Sequence, residues 1–264
     1  MNNFFEKKEI DLSNKFKKKG YIISKVEDID SLKYIKKITI KNLNKILGLK
    51  RNLNLNLNNL HKIIKIQNLN DIRVNLINLN NRDKNFKYHY FKIAKKLIYT
   101  LVGNELMMQK SINHSIQFPK DESSLLPVHS DVWSGDSPFE INLWIPLVDC
   151  YKTKSMYILE EKDKKNFEKH MKRLNINSSS QIFNKIKKKI KWLNVKYGEC
   201  LLFNQSLPHG NVTNVEPETR VSMNCRFKSI YSPYGDKKMG EFFLPITTRA
   251  MTEIGVNYQF PFKK

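Results

Sequence analysis

The residues best suited to chemistry lie in "PVHSDVWSGDSPFEINLWIPL" (127–147), where His129 stands two positions before Asp131, just ahead of a long apolar run. On an extended strand, side chains i and i+2 share a face, so this imidazole and this carboxylate are expected to aim at one point. Both are ligand types for Fe(II), Mn(II) or Zn(II). A second histidine completes a two-histidine, one-carboxylate set that leaves one face of the metal open. The chain has six histidines. His61, His89 and His170 fall in basic, helix-like stretches, and His114 sits close upstream in a candidate strand. His209, in "LLFNQSLPHGNV", follows a strand directly and lies in a Pro/Gly turn, which is where a ligand facing a cavity should stand. A lone His-x-Asp is a weak signal, because a histidine near a strand end is more often a hydrogen-bonded structural residue.

Support comes from further along the chain. Arg220 stands eleven residues after His209, with Ser222 two beyond it in "ETRVSMNCRF". On a strand these two also share a face. A guanidinium beside a hydroxyl is a receptor for a carboxylate. An open metal next to such a receptor suits 2-oxoglutarate, whose keto-acid end chelates the metal while its far carboxylate pairs with the arginine. The competing expectation for Arg220 is a surface salt bridge with Glu216 or Glu218.

The elements that must position these residues change character along the chain. Residues 1–104 read as a mainly helical, basic region that packs on the rest. "DIDSLKYIKKITIKNLNKIL" has near-helical apolar spacing with Asp28, Asp30 and Ser31 as caps, and "FKYHYFKIAKKLIYTLVGNEL" is a second helix ending near Gly103. "LNLNLN" alternates like a strand, but in so biased a composition it decides nothing. From residue 105 to 264, short β-rich runs ("NHSIQFP", "EINLWIPLV", "SMYILE", "WLNVKYGECLLFN", "GNVTNV", "TRVSMNCRFKSIY") are punctuated by proline and glycine. That pattern points to a sandwich or barrel. A lysine-rich stretch at about 160–192 reads as a helical insertion between strands.

The net charge is +22, yet it is unevenly spread. Residues 1–100 carry 23 basic and 8 acidic side chains, whereas 101–150 carry 2 and 7. The segment with His129 is thus the acidic one. Lysine mixed with asparagine and isoleucine is what codon bias in an AT-rich genome produces, so composition accounts for the charge better than a nucleic-acid surface does. Three widely spaced cysteines form neither a disulfide framework nor a zinc site. No run is long and apolar enough for a signal peptide or a membrane span, and the expectation is a cytoplasmic protein. "GDSP" (135–138) lacks the second glycine and the partner histidine of a serine-protease loop.

The order HxD, distal His, RxS on short strands resembles the Fe(II)/2-oxoglutarate-dependent oxygenases, in particular their phytanoyl-CoA dioxygenase-like branch. "SIQFPKDESSLLPVHSDVWSGDSPFEINLWIPLVDCYKTKSMYIL" is similar to the StrG-like oxygenases of bacterial carbohydrate-biosynthesis clusters. The resemblance covers about residues 105–232. It implies a mostly β double-stranded β-helix (jelly-roll, cupin-like) with flanking helices. It implies His129, Asp131 and His209 as the catalytic iron ligands and Arg220 with Ser222 as the 2-oxoglutarate anchor. Gln117 and Asn142 are further candidates for the cosubstrate. Trp133, Asp136 and Glu140, near the expected substrate mouth, are candidates for a sugar face and its hydroxyls. The implied activity is C–H oxidation with O2, coupled to decarboxylation of 2-oxoglutarate to succinate, on a small saccharide-derived substrate. The competing readings are a lipid/acyl or alkylated nucleic-acid substrate, or a non-catalytic metal-binding barrel. Nothing in the sequence fixes the oligomeric state.

Overall fold

The computed structural model describes residues 4–50, 53–174 and 178–262. The first helix, α1 (Lys7–Lys19), is capped by Gly20 in the left-handed conformation, and the chain turns at once into strand β1 (Tyr21–Lys25). Helix α2 (Ile29–Ile46) starts where the sequence places it, with the Asp28 carboxylate accepting from Ser31 N at 2.9 Å. Helices α3 (Leu69–Arg82), α4 (Phe86–Lys92) and α5 (Lys95–Leu101) follow. The next strands are β2 (Leu106–Gln109), β3 (Asn113–Gln117), β4 (Ile141–Pro146) and β5 (Tyr157–Ile158). Helices α6 (Glu161–Leu174) and α7 (Ser179–Ile186) form the insertion. The chain closes with β6 (Lys191–Trp192), β7 (Glu199–Asn204), β8 (His209–Gly210), β9 (Arg220–Ser229), β10 (Phe243–Thr247) and α8 (Ala250–Val256).

These strands make two facing sheets. The larger runs β1-β7-β4-β9-β2-β10, with β3 paired to β9; the smaller runs β6-β5-β8. The strands within each sheet pair antiparallel, and an isolated bridge between His129 and His209 extends the smaller sheet by one rung. This is the mostly β double-stranded β-helix with flanking helices. One core cluster unites the larger sheet with α2–α5, through residues such as Leu32, Ile35, Leu76, Tyr90 and Phe227. A second packs the insertion helices onto the smaller sheet, with Phe167, Ile182 and Ile186 against Tyr157 and Leu159. Apolar residues on one face of α6 and α7 thus cover the sheet, while Lys164 is buried against Ser206 and Glu161 and lysines such as Lys165, Lys185 and Lys187 stay in water.

Local pattern misleads at four places. The stretch 86–101, expected as one helix, breaks at Ile93–Ala94, because the Glu27 carboxylate accepts from Lys96 N and Leu97 N and starts α5 anew. β1, inside the region expected to be helical, is a strand because β7 offers it a full ladder from Tyr21↔Phe203 to Lys25↔Glu199. "LNLNLN" is not a strand; it buries Leu55 and Leu57 and runs into a 3-10 turn at Leu57–Lys62. "GNVTNV" leaves the sheet after Gly210, with the loop closed by Asn214 Nδ2 donating to Glu218 O. Among the described residues no helix is long and apolar enough to cross a membrane. The three cysteines are buried and unpaired, and burial pushes each thiol up to about 12, so they remain protonated packing groups.

The tie between helical layer and sheet is specific. Tyr90, fully buried on α4, donates its hydroxyl to Leu143 O at 2.7 Å, fixing β4 beside the helices. Replacing Tyr90 by Phe removes one buried hydrogen bond, and should cost about 1 kcal/mol. The check is a lower midpoint in urea unfolding with an unchanged slope.

Candidate metal centre

The backbone brings the two distant histidines together. His129 N donates to His209 O at 2.9 Å, and His209 N donates to His129 O at 2.8 Å. A reciprocal pair of this kind sets the two side chains side by side, and their ring centroids lie 4.3 Å apart. Each imidazole is oriented from behind: Nδ1–H of His129 donates to Pro127 O at 2.8 Å, and that of His209 to Leu207 O at 2.9 Å. With Nδ1 committed, the lone pair of each ring resides on Nε2. Burial, and then the neighbouring His129, push His209 down to about 4, so it is neutral at physiological pH and available as a ligand.

Asp131 completes the cluster by a route other than strand pleating. It opens a 3-10 turn, Asp131–Ser134, that ends at Gly135 with φ +87°. Its amide donates to Gln205 O at 3.1 Å, and Ser130 Oγ donates to the same carbonyl at 3.0 Å, so the turn is pinned to the segment after β7. One ligand atom from each of His129, Asp131 and His209 lies within 4.8 Å of the others. Asp131 Oδ2 is buried without a partner, an arrangement that costs free energy unless a cation or donor meets it. Two imidazole nitrogens and a carboxylate oxygen, converging with an orphaned oxygen among them, fit a divalent first-row metal.

Arg220, at the start of β9, opens onto the same cavity of about 420 Å³ as the three candidate ligands. It is buried, donates to Ser115 Oγ at 2.9 Å and Ser155 O at 3.2 Å, and its Nε has no partner. The surface salt bridge is not formed, since Glu218 is held by Lys154 at 2.7 Å. Ser222 follows one pleat along β9, fully buried with an unpartnered Oγ. Gln117 pairs in register with Arg220; its amide donates to Val212 O and its Oε1 is free. Asn142, on β4, lines the cavity with a free Oδ1. A buried guanidinium with an open donor, on the same strand as an unpartnered serine hydroxyl, fits a carboxylate-bearing cosubstrate; the free oxygens of Gln117 and Asn142 are acceptors and suit a hydroxyl or water instead.

The remaining candidates lie elsewhere. Trp133 is 40% exposed and does not line the cavity. Asp136 and Glu140 are buried behind it, in a network that sequence reading missed. Arg226, also on β9, places NH2 3.1 Å from Asp131 Oδ1 and 3.5 Å from Asp136 Oδ2, while Lys237 closes on Asp136 at 2.6 Å. Arg226 Nε donates to Gln205 Oε1 at 3.0 Å, and Gln205 Nε2 donates to Glu140 Oε2 at 2.7 Å. The signal was present: in "RVSMNCR" the polar residues 220, 222, 224 and 226 alternate with apolar ones, marking one polar face of a strand. His114 lines the cavity but accepts from Asn80 Nδ2 at 2.9 Å on α3, and His61 and His89 bond Thr219 and Ser31. None of those three is a candidate ligand.

No known family profile matches the chain. A streptomycin biosynthesis protein, StrG of Streptomyces griseus, is 24% identical over 159 residues, 58% of this chain; the chain spans 64% of that relative's length. Among solved structures, the non-heme monooxygenase ThoJ in complex with nickel superposes with a TM-score of 0.53 at 12% identity, covering 90% of this chain and 84% of that one. EctD from S. alaskensis, with 2-oxoglutarate and 5-hydroxyectoine, gives 0.53 at 14% identity over 89% and 80%.

Removing Arg226 should loosen Asp131 without unfolding the sheet. Arg226→Gln is expected to weaken Co(II) binding by about 10- to 100-fold, and Arg226→Lys to recover part of the loss; the Co(II) absorption titration reads both. By architecture, this chain shares the double-stranded β-helix fold of the non-heme oxygenases.

Proposed function

We propose that the chain is an Fe(II)- and 2-oxoglutarate-dependent oxygenase acting on a small, sugar-derived molecule. The observation that carries this reading is the single cavity onto which His129, Asp131, His209 and Arg220 all open. In such a site iron supplies coupled chemistry, in which 2-oxoglutarate is decarboxylated to succinate while O2 oxidises a substrate C–H bond. The chain's own part is binding and exclusion. His129, Asp131 and His209 hold the metal from one side and leave the other open to the cavity. Arg220, with Ser222 beside it, takes the far carboxylate of 2-oxoglutarate, and Gln117 and Asn142 are expected to orient the rest of that molecule. Phe203, edge-on to His209 at 5.0 Å, and Trp144 supply apolar wall that keeps bulk water from the ligands. A cavity of this size accommodates a small molecule better than a polymer.

The sugar-derived substrate is drawn from the likeness to StrG and from the polar lining. A reaction in the cytoplasm, with no covalent intermediate on the protein, is part of the same proposal. Succinate release, screened with Fe(II) and ascorbate across sugars and sugar derivatives, tests the activity. His129→Ala is expected to abolish substrate-dependent succinate while leaving the far-UV circular dichroism unchanged. Arg220→Ala should raise the 2-oxoglutarate KM by about 10- to 100-fold, the effect of losing a charged hydrogen-bonded pair. An unchanged KM would refute the anchor.

A further inference from the structure

Resting on the oxygenase reading, we infer that the substrate carries a phosphate group, which Arg73 receives at the wall of the catalytic cavity. The argument begins with charge. Three guanidiniums, Arg73, Arg220 and Arg226, line the cavity against one carboxylate, Asp131. The three lining histidines are held as hydrogen-bonded imidazoles: Nδ1–H of His129 and of His209 each donates to a backbone carbonyl, and Asn80 Nδ2 donates to His114 Nε2. A divalent metal and a 2-oxoglutarate dianion cancel each other. With Asp136 also set against Arg226, one positive charge remains for the substrate to answer.

The surplus is not spread evenly. Arg220 meets the far carboxylate of 2-oxoglutarate, and Arg226 is satisfied by Asp131 and Asp136. Arg73 is different. It projects from α3, half-buried, and among the described residues it forms no ion pair; it donates to the neutral Asn70 Oδ1 at 2.6 Å. A cation partly withdrawn from water with no counter-ion is a ready receptor, and a guanidinium presents the forked donors that match phosphate oxygens.

Other parts of the same wall are suited to hydroxyls. Asn113 and Asn224 are direct cross-strand partners between β3 and β9; both line the cavity, and among the described residues neither side chain forms a hydrogen bond. Trp144, from the neighbouring strand, lines the same space and offers an apolar surface for the C–H face of a ring. A polyhydroxylated ring bearing a phosphate matches both halves of the wall. A sugar monophosphate and a nucleoside-diphosphate sugar share that chemistry, and the test separates them.

The full chain loaded with redox-silent Mn(II) and 2-oxoglutarate is titrated calorimetrically with inorganic phosphate. A panel of hexose and cyclitol monophosphates, nucleoside-diphosphate sugars and their unphosphorylated parents follows. At least one phosphorylated compound should bind about 10- to 100-fold more tightly than its parent, the gain expected of one charged hydrogen-bonded contact. That gain should fall as salt rises. Arg73→Gln should abolish it, and Arg73→Lys should restore part of it, with 2-oxoglutarate affinity unchanged in both. Preference for monophosphates over diphosphate sugars, or the reverse, names the source of the phosphate. The inference is overturned if no member of the panel gains from its phosphate, or if Arg73→Gln keeps the gain. Loss of 2-oxoglutarate binding by the unaltered chain would instead overturn the oxygenase reading.

Discussion

The site depends on one reciprocal pair of backbone hydrogen bonds, between His129 and His209. These residues are 80 positions apart, and no local preference brings them together. The antiparallel rung does so, and it also aligns their side chains. The carbonyls of Pro127 and Leu207, each two residues upstream, then turn the two rings alike. The same geometry is used twice, once per strand, which is why both Nε2 atoms face the cavity.

The smaller sheet that contains this rung is slight, with three strands of two residues each. Strands so short have little stability of their own. Their support comes from outside, where the insertion helices bury Phe167, Ile182 and Ile186 against Tyr157 and Leu159. A lysine-rich insertion that looks dispensable in composition is therefore the backing of the histidine pair. On the opposite wall β9 has the converse task. It is the long central strand, paired with β2, β3 and β4, so its polar face can carry Arg220, Asn224 and Arg226 at fixed spacing on a rigid base.

Electrostatics links the two walls. Arg226 reaches from β9 to Asp131 and Asp136, while Gln205 bridges Arg226 to Glu140 and lends its carbonyl to Ser130 and Asp131. Asp136 and Glu140 therefore hold the loop that carries the metal-side carboxylate. Their burial requires partners, since an isolated buried carboxylate is costly. Burial, and the charge of Asp136, push the Glu140 carboxyl above the usual carboxylate range, which shows how closely the acidic groups are packed.

The sequence by itself determined the β-rich half and the spacing of its polar residues. It also determined the cap of α2 and the chemistry on offer at His129, Asp131, His209, Arg220 and Ser222. Those features are local: they follow from pleat period, capping and side-chain type. Tertiary structure decided the rest. β1 is a strand only because β7 has an open edge, and α5 begins where it does only because Glu27 arrives from a distant segment. Asp131 leaves the strand for a 3-10 turn because Gln205 O claims its amide. Arg226 and Arg73 became visible as cavity residues only once β9 and α3 were set around one space. Local preference is worth little per residue and is overridden by pairing and burial, so a chain announces its chemical groups long before it reveals which of them meet.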